Sequence, residues 1–395
     1  MKFESQVVHA GDRKRRKDAV VPSTTPIQLA TTYFYDSATT LDRVLGHEED
    51  GFCYARYASP TNAALEELCA ALEHGHGALA TASGMSAVQI ALQAALVDRP
   101  HSVIASNSIY GATIGMLDQL FSTFETSVTY VDICDLDALQ NAVAEHEPGC
   151  IFIESISNPL LRVGDLQRIA ELARNAGAAL VVDNTFATPM LIRPLQFGAN
   201  IVVHSVTKYL AGHGDVLGGV VVSDEAHHET VRMLSRLAGP VLGPFESYLT
   251  MRGIKTLALR FERQCNNARA VANWLSNHPR VERVYYCADP SHPDACNIKR
   301  LFAQGLFGAI LSFEIRNASR DDILAFMDRL KMIVPGTSLG DVHSLLLYPV
   351  MASHRNVSPK MRERVGIRDN LVRLAAGIEA PDDIIGDLDA ALSSV

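Results

Sequence analysis

The 395-residue sequence predicts an α/β protein with a mostly parallel central sheet flanked by helices. Two observations carry that expectation. Short apolar runs, CIFIES (150–155), ALVVDN (179–184), NIVVHS (200–205) and GGVVVSD (218–224), read as buried strands. Between two of them, DLQRIAELARNAG (165–177) is amphipathic, with Ile169, Leu172 and Ala173 inward and Gly177 as its stop. Strands that alternate with helices build a parallel sheet.

Taken in order, residues 1 to 60 carry turn and aromatic signals with few periodic segments and read as an extended arm. From Thr61 the pattern becomes helical: NAALEELCAALEHG sets Leu65, Leu68 and Leu72 on one side, with Gly75 and Gly77 ending it. In TASGMSAVQIALQAALV, Met85, Val88, Leu92 and Leu96 recur at helical spacing behind Ser83, a fitting N-cap. The strand-rich middle completes a large domain over 61–255. A long helical run, 251–279, leads into a smaller α+β domain over 256–395. There VERVYYC, GAILSFEI and LVRLAAGI are strand candidates, and DDILAFMDRL and PDDIIGDLDAAL are helices.

The balance of 48% hydrophobic and 20% charged residues is that of a globular protein. A net charge of −9 argues against nucleic acid or an acidic membrane as partner. The one basic run, RKRRK (13–17), reads as a solvated arm. Seven scattered cysteines without a Cys-x-x-Cys indicate neither a disulfide framework nor a zinc module, and no metal site is expected. The start MKFESQVVHAGD has no apolar secretory core and no stretch reaches membrane-spanning length, so a cytoplasmic protein is expected.

The chemistry gathers at strand ends. CIFIES closes on Glu154 with Asn158 behind it, ALVVDN reaches Asp183, and NIVVHS runs into Ser205, Thr207 and Lys208. Ligands of open α/β sheets bind at the carboxyl ends of the strands. Gly84 and Met85 open a helix whose free N–H groups suit an anion. Hydroxyls from Ser205 and Thr207 can join them. A phosphate site, a lysine and a buried aspartate together suit pyridoxal phosphate, whose aldehyde condenses with a lysine and whose ring nitrogen needs an anionic partner.

These segments carry a resemblance over nearly the whole chain. TPIQLATTY (25–33), YARYASPT (54–61), ASGMSA (82–87), ESISNP (154–159), VVDNTFATP (181–189), HSVTKYLAGHGD (204–215), RGIKTL (252–257), TSLGD (337–341) and LVRLAAGIE (371–379), in this order, resemble the Cys/Met-metabolism enzymes of fold-type I. That group includes cystathionine γ-synthase, cystathionine lyases, methionine γ-lyase and O-acylhomoserine sulfhydrylases.

The resemblance implies pyridoxal 5'-phosphate as cofactor and an amino acid as substrate. It implies that Lys208 is the Schiff-base lysine and proton shuttle, and that Asp183 partners the ring nitrogen. Gly84, Met85, Ser205 and Thr207 would hold the phosphate. Tyr54 and Arg56 would reach the phosphate of a neighbouring subunit, so a homodimer with shared sites is implied, assembled as a homotetramer. Tyr110 would stack on the ring and help proton transfer. Arg373 would clamp the substrate carboxylate with help from Asn158 and Ser338, and Glu154 would support the site from behind. His213 reads as structural, and the His74–His76 pair reads as a turn rather than a metal site. Three positions depart from the pattern. Ala112 stands where methionine γ-lyases carry cysteine, Thr337 where many cystathionine γ-lyases carry glutamate, and Gly243 where serine is usual. The residues shared by the group serve γ-elimination, the first expectation, and γ-replacement, the alternative.

Overall fold

The computed structural model describes residues 1–11, 21–46, 48–303, 305–355, 362 and 366–393. The basic run at 13–17 lies outside them. A seven-stranded sheet is built from β1 (Gly77–Thr81), β2 (Ser102–Ser106), β3 (Ser127–Val131), β4 (Cys150–Glu154), β5 (Ala179–Asp183), β6 (Ile201–Ser205) and β7 (Gly219–Ser223). Its spatial order is β1-β7-β6-β5-β4-β2-β3. The expected α/β class holds. The five strands β2 to β6 are parallel, and β7 runs antiparallel to both its neighbours.

The apolar runs are continuous because both faces of the sheet are covered. Ile151, Ile153, Leu180, Val182 and Val202 enter one core cluster, whereas Phe152, Val181, Ile201 and Val203 enter another on the opposite face. The helix Gly84–Leu96 supplies much of the second cluster, with Ala87, Ile90, Ala91 and Leu92 almost fully buried. Ser83 caps it by accepting from the N–H of Ser86.

A second sheet follows in the order β10 (Val334–Pro335), β11 (Leu345–Leu347), β12 (Leu371–Ala375), β9 (Ile310–Ile315) and β8 (Val281–Tyr285). The expected strands and both expected helices, Arg320–Arg329 and Pro381–Leu392, are present. Their core gathers Phe313, Phe326, Ile384 and Leu388. Along β12, Val372 and Leu374 enter this core, so pleating sends Arg373, between them, to the other face.

Three local expectations need correction. The run at 251–279 is two helices, Pro244–Ile254 and Leu257–Leu275, with Lys255 and Thr256 at the break. The helix Pro60–Glu73 ends on His74 in the left-handed conformation (φ 58°), not on a glycine, and Gly77 already begins β1. Among the described residues, the first sixty contain two short helices, Phe3–His9 and Ala38–Leu45. The second is an amphipathic turn pair that the aromatic and turn signals of the sequence masked. All seven cysteines are free thiols. Among the described residues, no helix is long and apolar enough to cross a membrane.

Candidate active site

Because β4, β5 and β6 are adjacent and in register, their carboxyl ends open onto one cavity of about 230 Å³. Gly84, Met85, Tyr110, Glu154, Asn158, Asp183, Ser205, Thr207, Lys208 and Arg373 all line it. Ser338 joins through its hydroxyl, which accepts a hydrogen bond from Lys208 Nζ at 2.9 Å. Tyr54 and Arg56 stand apart. Tyr54 is 40% exposed, and Arg56 lies over the Tyr57 ring and donates to the Arg236 carbonyl.

The sheet places a helix N-terminus and two hydroxyl side chains beside a lysine. A Cβ on Gly84 would sit 2.8 Å from Ser205 Cβ, so only glycine allows the helix N-terminus to approach that strand end. Thr185 ties β5 to β6: its hydroxyl accepts from the N–H of Ser205 at 2.9 Å, and its N–H donates to Asp183 Oδ1 at 2.9 Å. The Thr207 hydroxyl is engaged with Gly218, accepting from its N–H at 3.0 Å and reaching its carbonyl at 3.3 Å.

Burial sets the charges. Lys208 is pulled down to about 8, first by desolvation and then by the Arg373 charge, with Asp341 opposing. Arg373 falls to about 10, chiefly through burial, and stays cationic at neutral pH. Its guanidinium donates to Asn158 Oδ1 at 3.0 Å and to the Ser338 carbonyl at 3.1 Å. Asp183 is raised by desolvation, against the Thr185 hydrogen bonds and the charge of His204. Glu154 is raised well above the carboxylate range by burial and by Asp183. Its Oε1 accepts the Tyr110 N–H at 2.7 Å, so Glu154 lines the cavity itself and fixes the Tyr110 turn directly.

One prediction follows from the lysine. Only a neutral amine is nucleophilic, so pulse acetylation of the apoprotein should label Lys208 with a midpoint near pH 8, well below that of a solvated lysine at about 10.4. Peptide mass spectrometry across a pH series checks it, and labelling should rise with pH. A second concerns the loop that carries Ser338. Gly340 has φ +77°, and a Cβ there would lie 2.6 Å from the Tyr209 nitrogen and 3.0 Å from the Lys208 carbonyl carbon. Gly340→Ala should cost about 1–3 kcal/mol and loosen the Ser338–Lys208 contact. Thermal unfolding and kcat/KM should fall together.

The sequence assigns no role to several lining residues, although Thr185 and Phe186 lie within the stretch VVDNTFATP. Thr185, Phe186, Leu217 and Ser353 reach the cavity only through tertiary packing. Phe186 lies under the Arg373 guanidinium at 5.7 Å. Of the three departures, Thr337 lines the cavity, whereas Ala112 and Gly243 do not. A Cβ on Gly243 would meet Glu246 Oε2 at 2.1 Å, so a serine there would displace that carboxylate. His213 Nδ1 is tied to the Ala211 carbonyl at 2.7 Å, and His74 pairs with Gln196.

A helix N-terminus against hydroxyl-bearing strand ends, an amine of depressed pKa and a buried carboxylate fit pyridoxal phosphate. The glycine-only gap between Gly84 and Ser205 is the most specific part of that fit. The fold and site are those of a pyridoxal-phosphate-dependent enzyme. The chain is 38% identical to the L-methionine gamma-lyase of Fusobacterium nucleatum subsp. polymorphum over 391 residues, covering 98% of this chain and 97% of that one. It is 40% identical to the cystathionine gamma-synthase of Mycobacterium tuberculosis strain H37Rv, covering 98% and 96%. The structure of the cystathionine gamma-lyase from Lactobacillus plantarum, complexed with L-serine, matches with a TM-score of 0.92 at 35% identity, over 100% of this chain and 99% of that one. Residues 4–393 match the model of the Cys/Met metabolism PLP-dependent enzymes, and the chain belongs to that family.

Proposed function

We propose that the protein catalyses γ-elimination on an L-amino acid bearing an uncharged γ-substituent, such as a thioether or an O-acyl ester. The observation that carries this reading is the division of charge in the cavity. Buried Arg373 and Asn158, with the half-buried Ser338, form a clamp suited to an α-carboxylate at the deep end. The more exposed rim is formed by Tyr110, Thr337, Leu217 and Ser353, with no ionic side chain among them. Among the described residues, a second ammonium on the substrate would find no carboxylate at that rim, because the lining carboxylates Asp183 and Glu154 belong to the strand ends.

Bound pyridoxal phosphate supplies an electron-accepting ring that makes the substrate Cα–H and Cβ–H bonds acidic. Asp183 would be the anionic partner of its ring nitrogen. Lys208 would hold the cofactor and, with its amine free, would serve as the base at Cα, work that its depressed pKa suits near neutral pH. Ser338 orients its Nζ. Tyr110, its backbone pinned by Glu154, delivers a proton to the departing γ-group. Release of 2-oxobutanoate and ammonia without added thiol tests the reading. Product formed only with a thiol co-substrate would make the protein a γ-replacement transferase.

Large apolar side chains exposed on the single chain support a homodimer with shared sites. Phe34 is 94%, Leu29 76% and the cavity residue Leu217 65% exposed. Such surfaces mark subunit contacts. Tyr54 and Arg56 then serve the neighbour's phosphate. Mixing inactive Arg56→Ala with inactive Lys208→Ala subunits should restore activity, because one of the two sites in a mixed dimer regains both residues. An assay after subunit exchange checks it.

A further inference from the structure

We infer that the Ser353 hydroxyl contacts the γ-substituent and favours one that presents an oxygen acceptor, such as an ester carbonyl, with His354 as the positioning residue behind it. The inference rests on reading the cavity as an amino-acid site. Ser353 lines that cavity together with Lys208 and Tyr110. Its position is tightly fixed, since a Cβ on Gly111 would lie 2.2 Å from the Ser353 carbonyl oxygen. The segment is therefore packed directly against the turn that carries Tyr110, on the rim side. With the α-carboxylate held at Arg373, the substrate side chain extends towards this rim.

His354 is 4% exposed, and its Nδ1 lies 2.9 Å from Ser353 Oγ. Burial, and then the positive charges of Arg373 and Arg362, pull its pKa down to about 4, so the imidazole is neutral. A neutral imidazole carries one N–H. With that proton on Nδ1, His354 donates to Ser353 Oγ, and the serine O–H is left to point into the cavity. No other role in the proposed reaction uses this pair. Thr337 and Tyr110 also present hydroxyls on the same rim.

The test uses the holoenzyme and two amino acids that have no γ-leaving group, L-norleucine and L-glutamate γ-methyl ester. Their binding is read from the visible absorbance of the bound cofactor. Ser353→Ala should raise Kd for the ester about tenfold, the worth of one hydrogen bond, and leave norleucine unchanged. Ser353→Thr should restore ester binding, and His354→Gln should weaken it partially. Equal losses for both ligands would reveal a scaffold role and overturn the proposal, as would no loss for either. Because neither ligand can react at Cγ, the result is independent of elimination or replacement. Failure of both to perturb the wild-type cofactor would overturn the amino-acid-site reading itself.

Discussion

Lys208→Ala is expected to lower turnover by about 10²–10⁴-fold and to abolish the absorbance of lysine-bound cofactor. The fold should survive. Lys208 is a partly desolvated amine whose charge is already disfavoured, and its side-chain hydrogen bond is to the Ser338 hydroxyl. Removing an ionisable group from such a place relieves a burial cost as well as losing a contact. The melting temperature of the apoprotein should therefore move by no more than a few degrees. Differential scanning calorimetry and absorbance spectra, taken on the same preparation, separate loss of chemistry from loss of fold. Residual turnover near the wild-type rate would remove Lys208 from the mechanism.

Asp183→Asn should have the next largest effect. The amide keeps the size of the side chain, and its oxygen can still accept from Thr185 at the present Oδ1 position. What disappears is the negative charge, held in a buried site next to Glu154, whose own carboxyl is driven towards its neutral form. Loss of one preorganised charge of this kind lowers kcat by about 10²–10³-fold. Cofactor affinity should fall in parallel, because the protonated ring nitrogen loses its counter-ion. An equilibrium titration of apoprotein with pyridoxal phosphate, compared with wild type, checks both consequences.

Much of this site is legible in the sequence because a parallel sheet concentrates it. Glu154, Asp183 and Ser205 each close an apolar run, and adjacent parallel strands bring such ends together. Arg373 is legible only through the resemblance of LVRLAAGIE, since its strand, Leu371–Ala375, belongs to the second, largely antiparallel sheet. The edge strand β1 and the interior strand β2 were harder. β1 (GALAT) and β2 (SVIAS) are short and rich in small residues, so their periodicity is weak. The antiparallel sense of β7 depends on the chain returning directly from β6 through residues 206–218, which composition does not record. The helix break at Lys255–Thr256 falls in a run whose apolar spacing continues across it. Ser353 illustrates what only the fold reveals: it meets Gly111 across more than two hundred residues of chain.

The central claim is that one lysine, at the end of β6, anchors the cofactor in this cavity. Borohydride reduction of the holoenzyme fixes pyridoxal phosphate on whichever lysine holds it, and peptide mass spectrometry then reads the position. The account predicts one stoichiometric phosphopyridoxyl adduct, on Lys208 in the segment HSVTKYLAGHGD. A stoichiometric adduct on any other lysine, with Lys208 unmodified, would contradict it.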